Sequence, residues 1–264
     1  MYDKSTKQSL ITLLSDFGIR DEYVAVMKGT IAQINPMLRA IDITHQIPPQ
    51  NIAAARFCLM NAYPYFPAGT VHVAVVDPGV GGKRRAVAVE LAQGFLVAPD
   101  NGLLSGVLST NSLICAVELT NPEYWLTSQP STTFHGRDIF APVGAHLANG
   151  VSLQKLGREI NPESLIKLDL PECCQKDDSV VGCIQYIDRF GNLVTNIPQN
   201  YVEGTNWSVE IRGRKIKARE TYSEVKVGEL IALVGSHGWV EIAVNSGNAS
   251  LKLDVDNGSE VRIS

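Results

Sequence analysis

The strongest constraint on the fold is a change of pattern along the chain, from strands that alternate with helices to strands alone. In the first half, apolar strand-like runs alternate with segments of helical periodicity. This alternation favours an α/β fold, in which a mostly parallel sheet is sandwiched by helices. The predicted strands span residues 9–14, 38–43, 70–76, 86–91 and 95–98.

Three helices are predicted in the same half. Apolar residues recur at helical spacing after Asp21, which we expect to cap the first helix, and Pro36 ends that pattern. Residues 51–62 have the same periodicity, and residues 142–148 have the composition of a helix. Gly150 follows the third segment as a stop signal.

The second half lacks helical periodicity. Residues 169–179 form a polar, proline-containing stretch that we interpret as a linker. Beyond it, residues 180–264 hold short alternating segments separated by turn residues, which is typical of a small antiparallel β-barrel. We therefore predict an N-terminal α/β domain over residues 1–168 and a C-terminal β-barrel domain over residues 180–264.

Composition narrows the possible functions. The 264-residue chain has a net charge of -4 and a pI near 5.8, which argues against nucleic-acid and membrane partners. Its five cysteines are odd in number and lack metal-ligand spacing, so we expect reduced thiols and no metal site. Residues 1–9 lack the apolar core of a signal peptide, and no apolar run is long enough to span a membrane. We therefore expect a cytoplasmic protein.

Two carboxylates stand after predicted strands, at the strand ends where open α/β sheets bind ligands. Asp16 ends the first strand; it could accept both hydroxyls of a ribose, or serve only a turn or a helix cap. Asp77 follows the third strand and precedes a loop that carries Lys83, Arg84 and Arg85. Either arginine could fold back towards Asp77, or the loop could be a solvated basic turn.

A third polar cluster, TFHGRD (133–138), precedes the third predicted helix. His135 could accept a proton, orient a neighbour or be purely structural. Gly136 would leave space where a ligand could sit.

Seven motifs occur in one order along the chain: LLSDFG (13–18), VDPGVGG (76–82), APDNGLL (98–104), TFHGRD (133–138), IDRFGNLVTN (187–196), TYSE (221–224) and EIAVN (241–245). Together they resemble the S-adenosyl-L-methionine hydroxide adenosyltransferases, relatives of the fluorinating and chlorinating adenosyl enzymes. The resemblance covers nearly the whole chain. It implies a homotrimer of two-domain subunits, with the ligand between the first domain of one subunit and the barrel of its neighbour.

The reaction that this resemblance implies is the hydrolysis of S-adenosyl-L-methionine to adenosine and L-methionine, without a cofactor. Because a sulfonium is already a good leaving group, the difficulty is the supply of a nucleophile from water. The family's Asp-Arg-His trio matches Asp77, Arg84 and His135, although the sequence leaves open whether Arg85 replaces Arg84. Asp77 would aim the water at ribose C5′, while the other two would stabilise hydroxide character and keep Asp77 ionised.

The resemblance also implies which residues bind the substrate. Asp16 matches the residue that grips the ribose hydroxyls, and Asn192 matches the one that hydrogen-bonds the base. Phe190 and Tyr222 match the positions that stack on adenine. The contacts to the methionine amino and carboxylate groups match Asp21, Asp188 and Ser236, and the motifs add Gly136 and Asn245 as substrate-binding positions.

Some positions depart from the halogenating relatives. Asp77 stands where they have an aromatic side chain, and Gly136 where the fluorinating enzyme has a serine. Gln50 and His237 replace a tryptophan and an arginine. A charged Asp77 would repel a halide, which disfavours the alternative of a halide-dependent adenosyl transferase. A protein that binds adenosine or S-adenosylmethionine without turnover is a third hypothesis, because its binding residues would be the same.

Overall fold

The computed structural model describes residues 10–177, 179–204 and 206–264, so the expectation about residues 1–9 lies outside the described residues. The chain divides into two compact units, Met1–Leu168 and Asp169–Ser264. Among the described residues, no helix combines the length and apolar character needed to cross a membrane.

The first unit is built on a seven-stranded mixed sheet. Its strands are β1 (Leu10–Ser15), β2 (Arg39–Thr44), β3 (Thr70–Val75), β4 (Ala86–Leu91), β5 (Gly94–Pro99), β6 (Leu113–Glu118) and β7 (Arg158–Glu159). Its helices are α1 (Tyr23–Ile34), α2 (Ile52–Ala62), α3 (Ser105–Leu108) and α4 (Ala141–Ala148). The strand order is β2-β1-β3-β5-β4-β6-β7. Strands β2, β1, β3 and β5 are parallel, whereas β4 is antiparallel to β5 and β6. The predicted α/β class is confirmed.

The connections around β1 reverse direction at one end of the sheet. The chain passes from β1 through α1 to β2 on one side, then through α2 to β3 on the other side. Right-handed crossovers in opposite directions place the two helices on opposite faces of the sheet. The carboxyl ends of β1 and β3 flank this reversal, which is where open α/β sheets bind ligands. Asp16 directly follows β1, and Asp77 lies two residues after β3.

The helix predictions were right about the buried faces and wrong about one cap. Met27 and Ile31 of α1 join the core, as their spacing predicted. Asp21 does not cap this helix, because the helix begins at Tyr23 and Glu22 takes the N-cap position. Asn51 does cap α2, and its side chain accepts a hydrogen bond from the N–H of Ala54 at 2.9 Å.

The second unit is an antiparallel sheet that nearly closes on itself. Its elements are β8 (Cys174–Lys176), β9 (Ser179–Ile187), β10 (Leu193–Pro198), β11 (Ser208–Ile211), β12 (Arg214–Lys217), β13 (Leu230–Val234), β14 (Trp239–Val244), α5 (Ala249–Leu253) and β15 (Glu260–Ile263). The strand order is β12-β11-β15-β9-β10-β14-β13, with β8 paired to β9. A bridge between Ala218 and Ala232 joins the two ends of this order. The predicted barrel is confirmed.

Two features of this unit differ from the sequence prediction. The stretch 169–179, interpreted as a linker, contains β8, which pairs with β9 through Cys174 and Val181. The residues of β8 are exposed, so the strand carries no apolar alternation that a sequence could reveal. The helix α5 is only five residues long, too short to show a helical period.

Candidate active site

Asp77 and Arg84 form a buried, bidentate ion pair at the carboxyl end of β3. Arg84 Nε donates to Asp77 Oδ1 at 2.9 Å, and Arg84 Nη2 donates to Oδ2 at 2.5 Å. The Arg84 and Asp77 side chains are only 11% and 5% exposed. The guanidinium also lies over the Phe140 ring, 5.3 Å from its centroid. Two parallel contacts fix the carboxylate plane as well as its position.

His135 completes this cluster through its Nδ1 atom, which lies 2.6 Å from Arg84 Nη2. A guanidinium has donors only, so His135 Nδ1 must be the acceptor, and a neutral ring then carries its hydrogen on Nε2. Burial lowers the pKa of His135, and the neighbouring Arg84 charge lowers it further. The geometry therefore favours a neutral His135 that orients and donates a hydrogen bond, rather than one that accepts a proton.

Arg85 points to a different partner. Its Nε lies 2.8 Å from Asp100 Oδ2, and its Nη2 lies 2.6 Å from the carbonyl oxygen of Ser164. Arg84 and Arg85 are consecutive residues that lead into β4, and side chains of consecutive extended residues point to opposite sides. Arg84 is therefore the arginine that meets Asp77 and His135.

Two contacts bring the loops of the cluster together. Asn101 Nδ2 donates to the carbonyl oxygen of Val76, directly before Asp77, at 2.8 Å. Gly81 has a φ of +74°, and a Cβ there would lie 2.2 Å from the carbonyl oxygen of Thr132. Only glycine allows this close approach between the loop after β3 and the segment that carries His135.

The segment after His135 is a π-helix, Gly136–Phe140, that runs into α4. Asp138 is fully buried and accepts hydrogen bonds from Ser131 N–H at 2.7 Å and Arg137 Nε at 2.6 Å. Burial raises the pKa of Asp138, but hydrogen bonds from Arg137 and Ser131 outweigh it, so the pKa is lowered. A single π-turn of this kind is frequent at functional sites.

Gly136 serves aromatic packing in this structure. A Cβ at Gly136 would lie 3.1 Å from Phe134 Cε2, and 3.3 Å from both Met27 Sδ and Phe17 Cε2. Phe134 and Phe17 meet edge to face, with ring centroids 5.6 Å apart. A side chain at Gly136 would therefore crowd these three neighbours. A substrate contact from the Gly136 backbone stays a prediction.

Asp16 and Asp21 differ in their surroundings. Asp16 is half-buried, and its Oδ2 accepts the backbone N–H of Gln50 at 2.7 Å. Gln50 has a φ of +64°, a left-handed conformation that is uncommon outside glycine. An ionised carboxylate has about four acceptor positions, so Asp16 retains capacity for ribose hydroxyls. Asp21 is exposed ahead of α1, and its predicted contact to methionine stays a prediction.

In the second unit, Asp188 fixes the turn between β9 and β10. Its Oδ1 accepts the backbone N–H groups of Phe190 at 2.8 Å and Asn192 at 2.9 Å. Its Oδ2 accepts a hydrogen bond from Asn192 Nδ2 at 3.0 Å, and the contact from Asn192 to the base stays a prediction. Gly191, with a φ of +82°, holds the tip of this turn. The turn presents Phe190 outward, with 74% of the residue exposed.

A buried carboxylate that the sequence reasoning missed, Glu241, connects two other residues of this unit. Tyr222 donates its hydroxyl to Glu241 Oε1 at 2.7 Å, and His237 Nε2 lies 3.2 Å from Oε2. His237 Nδ1 accepts the N–H of Trp239, so Nε2 carries the hydrogen. Burial raises the pKa of Tyr222, and its bond to Glu241 raises it further. A lone glutamate in the apolar strand WVEIAV was the signal for Glu241.

Ser236 and Asn245, the other two predicted residues of this unit, differ in exposure and bonding. Ser236 is exposed in the turn between β13 and β14. Asn245 Nδ2 donates to the carbonyl oxygen of Val225 at 2.7 Å, and its Oδ1 accepts from Ser246 Oγ at 3.1 Å. Asn245 therefore ties two loops together, and a substrate contact from it stays a prediction.

Metal-ligating residues do not cluster in the part of the chain that the structure describes. Within residues 10–177, 179–204 and 206–264, no group of three or more His, Cys, Asp or Glu side chains could hold a metal ion. The buried ionisable groups of the candidate site are instead paired with one another, as in Asp77 with Arg84 and His135.

Comparison with known proteins gives matches along nearly the whole chain. The model of the SAM hydroxide adenosyltransferase N-terminal domain matches residues 11–157, and that of the C-terminal domain matches residues 182–262. A Salinispora tropica protein named (R)-S-adenosyl-L-methionine hydrolase is 39% identical, over 96% of this chain and 97% of that protein. A Nocardia brasiliensis fluorinase is 27% identical over 97% of each chain. The crystal structure of an uncharacterized conserved protein from Thermotoga maritima is 38% identical, with a TM-score of 0.90 over 96% of this chain and 99% of that one. This chain belongs to the SAM hydroxide adenosyltransferase family.

Proposed function

We propose that this protein hydrolyses S-adenosyl-L-methionine. Water attacks C5′ of the ribose, the C5′–S bond breaks, and the sulfonium leaves as the neutral thioether of L-methionine. The water gives up one proton, which the Asp77 carboxylate accepts and passes to solvent, and its oxygen becomes the 5′-hydroxyl of adenosine. The observation that carries this proposal is the buried cluster of Asp77, Arg84 and His135, which combines a carboxylate acceptor with fixed donors. The identity to a named hydrolase, 39% against 27% for a fluorinase, supports it.

Asp77 is the group that orients the nucleophile in this mechanism. Arg84 balances its charge through Nε and Nη2, and the remaining lone pairs of the carboxylate accept an O–H of the water. This contact aims the water oxygen at C5′ and increases its electron density as the bond forms. Positioning of this kind contributes on the order of 7–11 kcal/mol in the best intramolecular cases.

His135 stabilises the charge that develops on the attacking oxygen. Because its Nδ1 accepts from Arg84, its Nε2–H is the donor that can reach a hydroxide-like oxygen. The sulfonium needs no protonation to leave, so the mechanism requires neither a general acid nor a cofactor. S-adenosylmethionine itself is the only small molecule consumed besides water.

The remaining predicted residues bind the substrate. Asp16 accepts the ribose hydroxyls, Phe190 and Tyr222 stack on the adenine, and Asn192 hydrogen-bonds the base. We propose that the protein acts in the cytoplasm, because its odd number of cysteines, five, favours reduced thiols.

We also propose a homotrimer, as the family resemblance implies, in which residues of the first unit act together with second-unit residues of a neighbouring subunit. The assembly can be tested by mixing subunits. Asp77→Asn subunits mixed with Phe190→Ala subunits should give trimers with more activity than the average of the two parent trimers. If verified mixed trimers showed no such gain in activity, the proposal that each active site is built from two subunits would be contradicted.

The product test separates the hydrolase from a halide-dependent transferase and from a binding protein. The protein is incubated with S-adenosylmethionine of either sulfonium configuration, with and without chloride, and the products are separated by chromatography. We expect equal amounts of adenosine and methionine at a rate independent of chloride. A 5′-chloro-5′-deoxyadenosine product would identify a transferase, and binding without any product would identify a binding protein.

A further inference from the structure

A chain of three polar side chains lies behind Asp16 and has no part in the mechanism above. Ser15 Oγ is 2.7 Å from His45 Nδ1. His45 Nε2 lies 3.1 Å from Asp42 Oδ1, a close polar contact that does not have the geometry of a hydrogen bond. Lys28 Nζ contacts the other oxygen of Asp42 at 2.6 Å. Ser15 is fully buried and His45 is 5% exposed, so each needs a partner inside the protein.

The hydrogens of this chain have one consistent arrangement. Ser15 Oγ accepts the N–H of Phe17 at 3.3 Å, which leaves the Ser15 hydrogen to be donated to His45 Nδ1. The hydrogen of a neutral His45 is then on Nε2, facing a carboxylate that only accepts. Burial raises the pKa of Asp42, but the hydrogen bond from Lys28 and the close contact with His45 outweigh burial, so the pKa is lowered. An ionised Asp42 therefore holds His45 in the tautomer that accepts from Ser15.

The Ser-His-Asp order resembles a hydrolytic triad, but the geometry excludes that role. A catalytic serine must present its oxygen to a substrate, whereas Ser15 has no exposed surface. Its oxygen is enclosed between the Phe17 N–H and the His45 ring. Whatever Ser15 does, it does through its neighbours.

The segment after β2 holds the loop after β1 at three points. The His45 ring contacts Ser15, and the His45 carbonyl oxygen accepts the N–H of Gly18 at 2.7 Å. The N–H of Gln50 donates to Asp16 Oδ2 at 2.7 Å. Asp16 thus lies between two anchored residues and is itself anchored through one oxygen.

We propose that Asp42, His45 and Ser15 are positioning residues for Asp16, which set the direction in which its carboxylate meets the ribose. The inference rests on the proposed function, in which Asp16 binds the ribose hydroxyls. A small displacement of such a group costs substrate affinity, because hydrogen bonds depend steeply on geometry.

The same sheet contains a matched pair that serves as a control. Thr12 Oγ1 lies 2.8 Å from His72 Nδ1, and both residues are buried. Thr12 is on β1 like Ser15, three residues earlier, and pairs directly with His72 of β3. Loss of either hydroxyl leaves a buried histidine without a hydrogen-bond partner at Nδ1, so both losses should lower the melting temperature.

The experiment compares Ser15→Ala with Thr12→Val in steady-state kinetics and in adenosine binding by calorimetry. Ser15→Ala should raise the KM for S-adenosylmethionine and the Kd for adenosine by about tenfold, while kcat changes by less than about threefold. Thr12→Val should leave KM and Kd unchanged despite a similar loss in melting temperature. Ser15→Thr, which keeps the hydroxyl, should restore KM.

Asp42→Asn is a second test of the proposal. It avoids a substitution in the buried interior, because the Asp42 side chain is 40% exposed. It should raise KM in the same direction by a smaller factor, because His45 is no longer held in one tautomer. Unchanged KM in both Ser15→Ala and Asp42→Asn would overturn the inference, and so would an equal rise in Thr12→Val. A wild-type protein that neither binds adenosine nor consumes S-adenosylmethionine would instead overturn the proposed function.

Discussion

The candidate residues of the first unit and those of the second unit differ in how completely the folded chain organises them. Asp77 and Arg84 are 5% and 11% exposed and are held by a bidentate contact. Phe190 and Tyr222 are 74% and 42% exposed. The groups assigned to bond making are thus fixed before any substrate arrives, while the two rings assigned to stacking on the base are exposed. Changes in the first set should act on kcat, and changes in the second on affinity.

The largest effect is expected from Asp77→Asn. The amide keeps the size of the side chain but loses the charge that accepts the water proton, so kcat should fall by about 10²–10⁴-fold. Adenosine affinity should change only a few-fold. Asp100→Asn is the matched control, because Asp100 is also buried and paired with an arginine, Arg85. If kcat fell as much in Asp100→Asn as in Asp77→Asn, the loss would come from disrupting a buried ion pair in general and not from a specific role of Asp77.

Asp16→Ala should act mainly on binding. Two ribose hydroxyls lose a charged acceptor, and each such contact contributes roughly 1.5–3 kcal/mol. The Kd for adenosine, measured by calorimetry, should therefore rise by about 10²-fold or more. Unchanged affinity would remove Asp16 from the site.

Phe190→Ala tests the role assigned to the exposed stacking rings of the second unit. Loss of a ring that stacks on a base costs about 1–3 kcal/mol, so KM should rise by about tenfold or more while kcat at saturation is retained. Leu251→Ala is the control, since Leu251 is 80% exposed and belongs to α5, outside the predicted site. A Phe190→Ala protein with wild-type KM would mean that the exposed ring has no ligand.

The smallest effect expected is a displacement of the pH profile. Burial and the Arg84 charge lower the pKa of His135 from its ordinary value of 6.5. Turnover should therefore hold to a more acidic pH than the pH 6–7 range expected from an ordinary histidine, and fall as pH drops through the lowered pKa. The same shift affects stability. The contribution of neutral His135 to the free energy of unfolding is complete above pH 6.5, and it is lost as the pH falls through the folded-state pKa. A profile centred at or above 6.5 would contradict the Arg84–His135 contact.

Much of this architecture could be predicted because local pattern and tertiary structure agree. The strand at residues 86–91 is found with the predicted bounds, since its apolar run is buried on both faces. The choice between Arg84 and Arg85 could not be predicted. The alternation of side chains along extended backbone predicts only that Arg84 and Arg85 point in opposite directions. Which of them faces Asp77 depends on the conformation of the loop after β3, where Gly81 approaches Thr132.

The candidate site shows the same limit in its long-range contacts. Residues at strand ends, such as Asp16 and Asp77, could be placed from sequence because topology brings those ends together. Glu241 could not be assigned, because its partners Tyr222 and His237 come from separate loops. The chain of Ser15, His45 and Asp42 depends on β1 and β2 pairing as neighbours, which the local sequence does not encode.

The central claim is that water, oriented by Asp77, Arg84 and His135, is the nucleophile at C5′. The most direct measurement is turnover of S-adenosylmethionine in oxygen-18 water, followed by mass spectrometry of the adenosine. The account predicts one labelled oxygen in the 5′-hydroxyl of each adenosine, at a rate insensitive to chloride. Adenosine without the label would show that its 5′-oxygen does not come from solvent, and would contradict the mechanism even if the ligand is right.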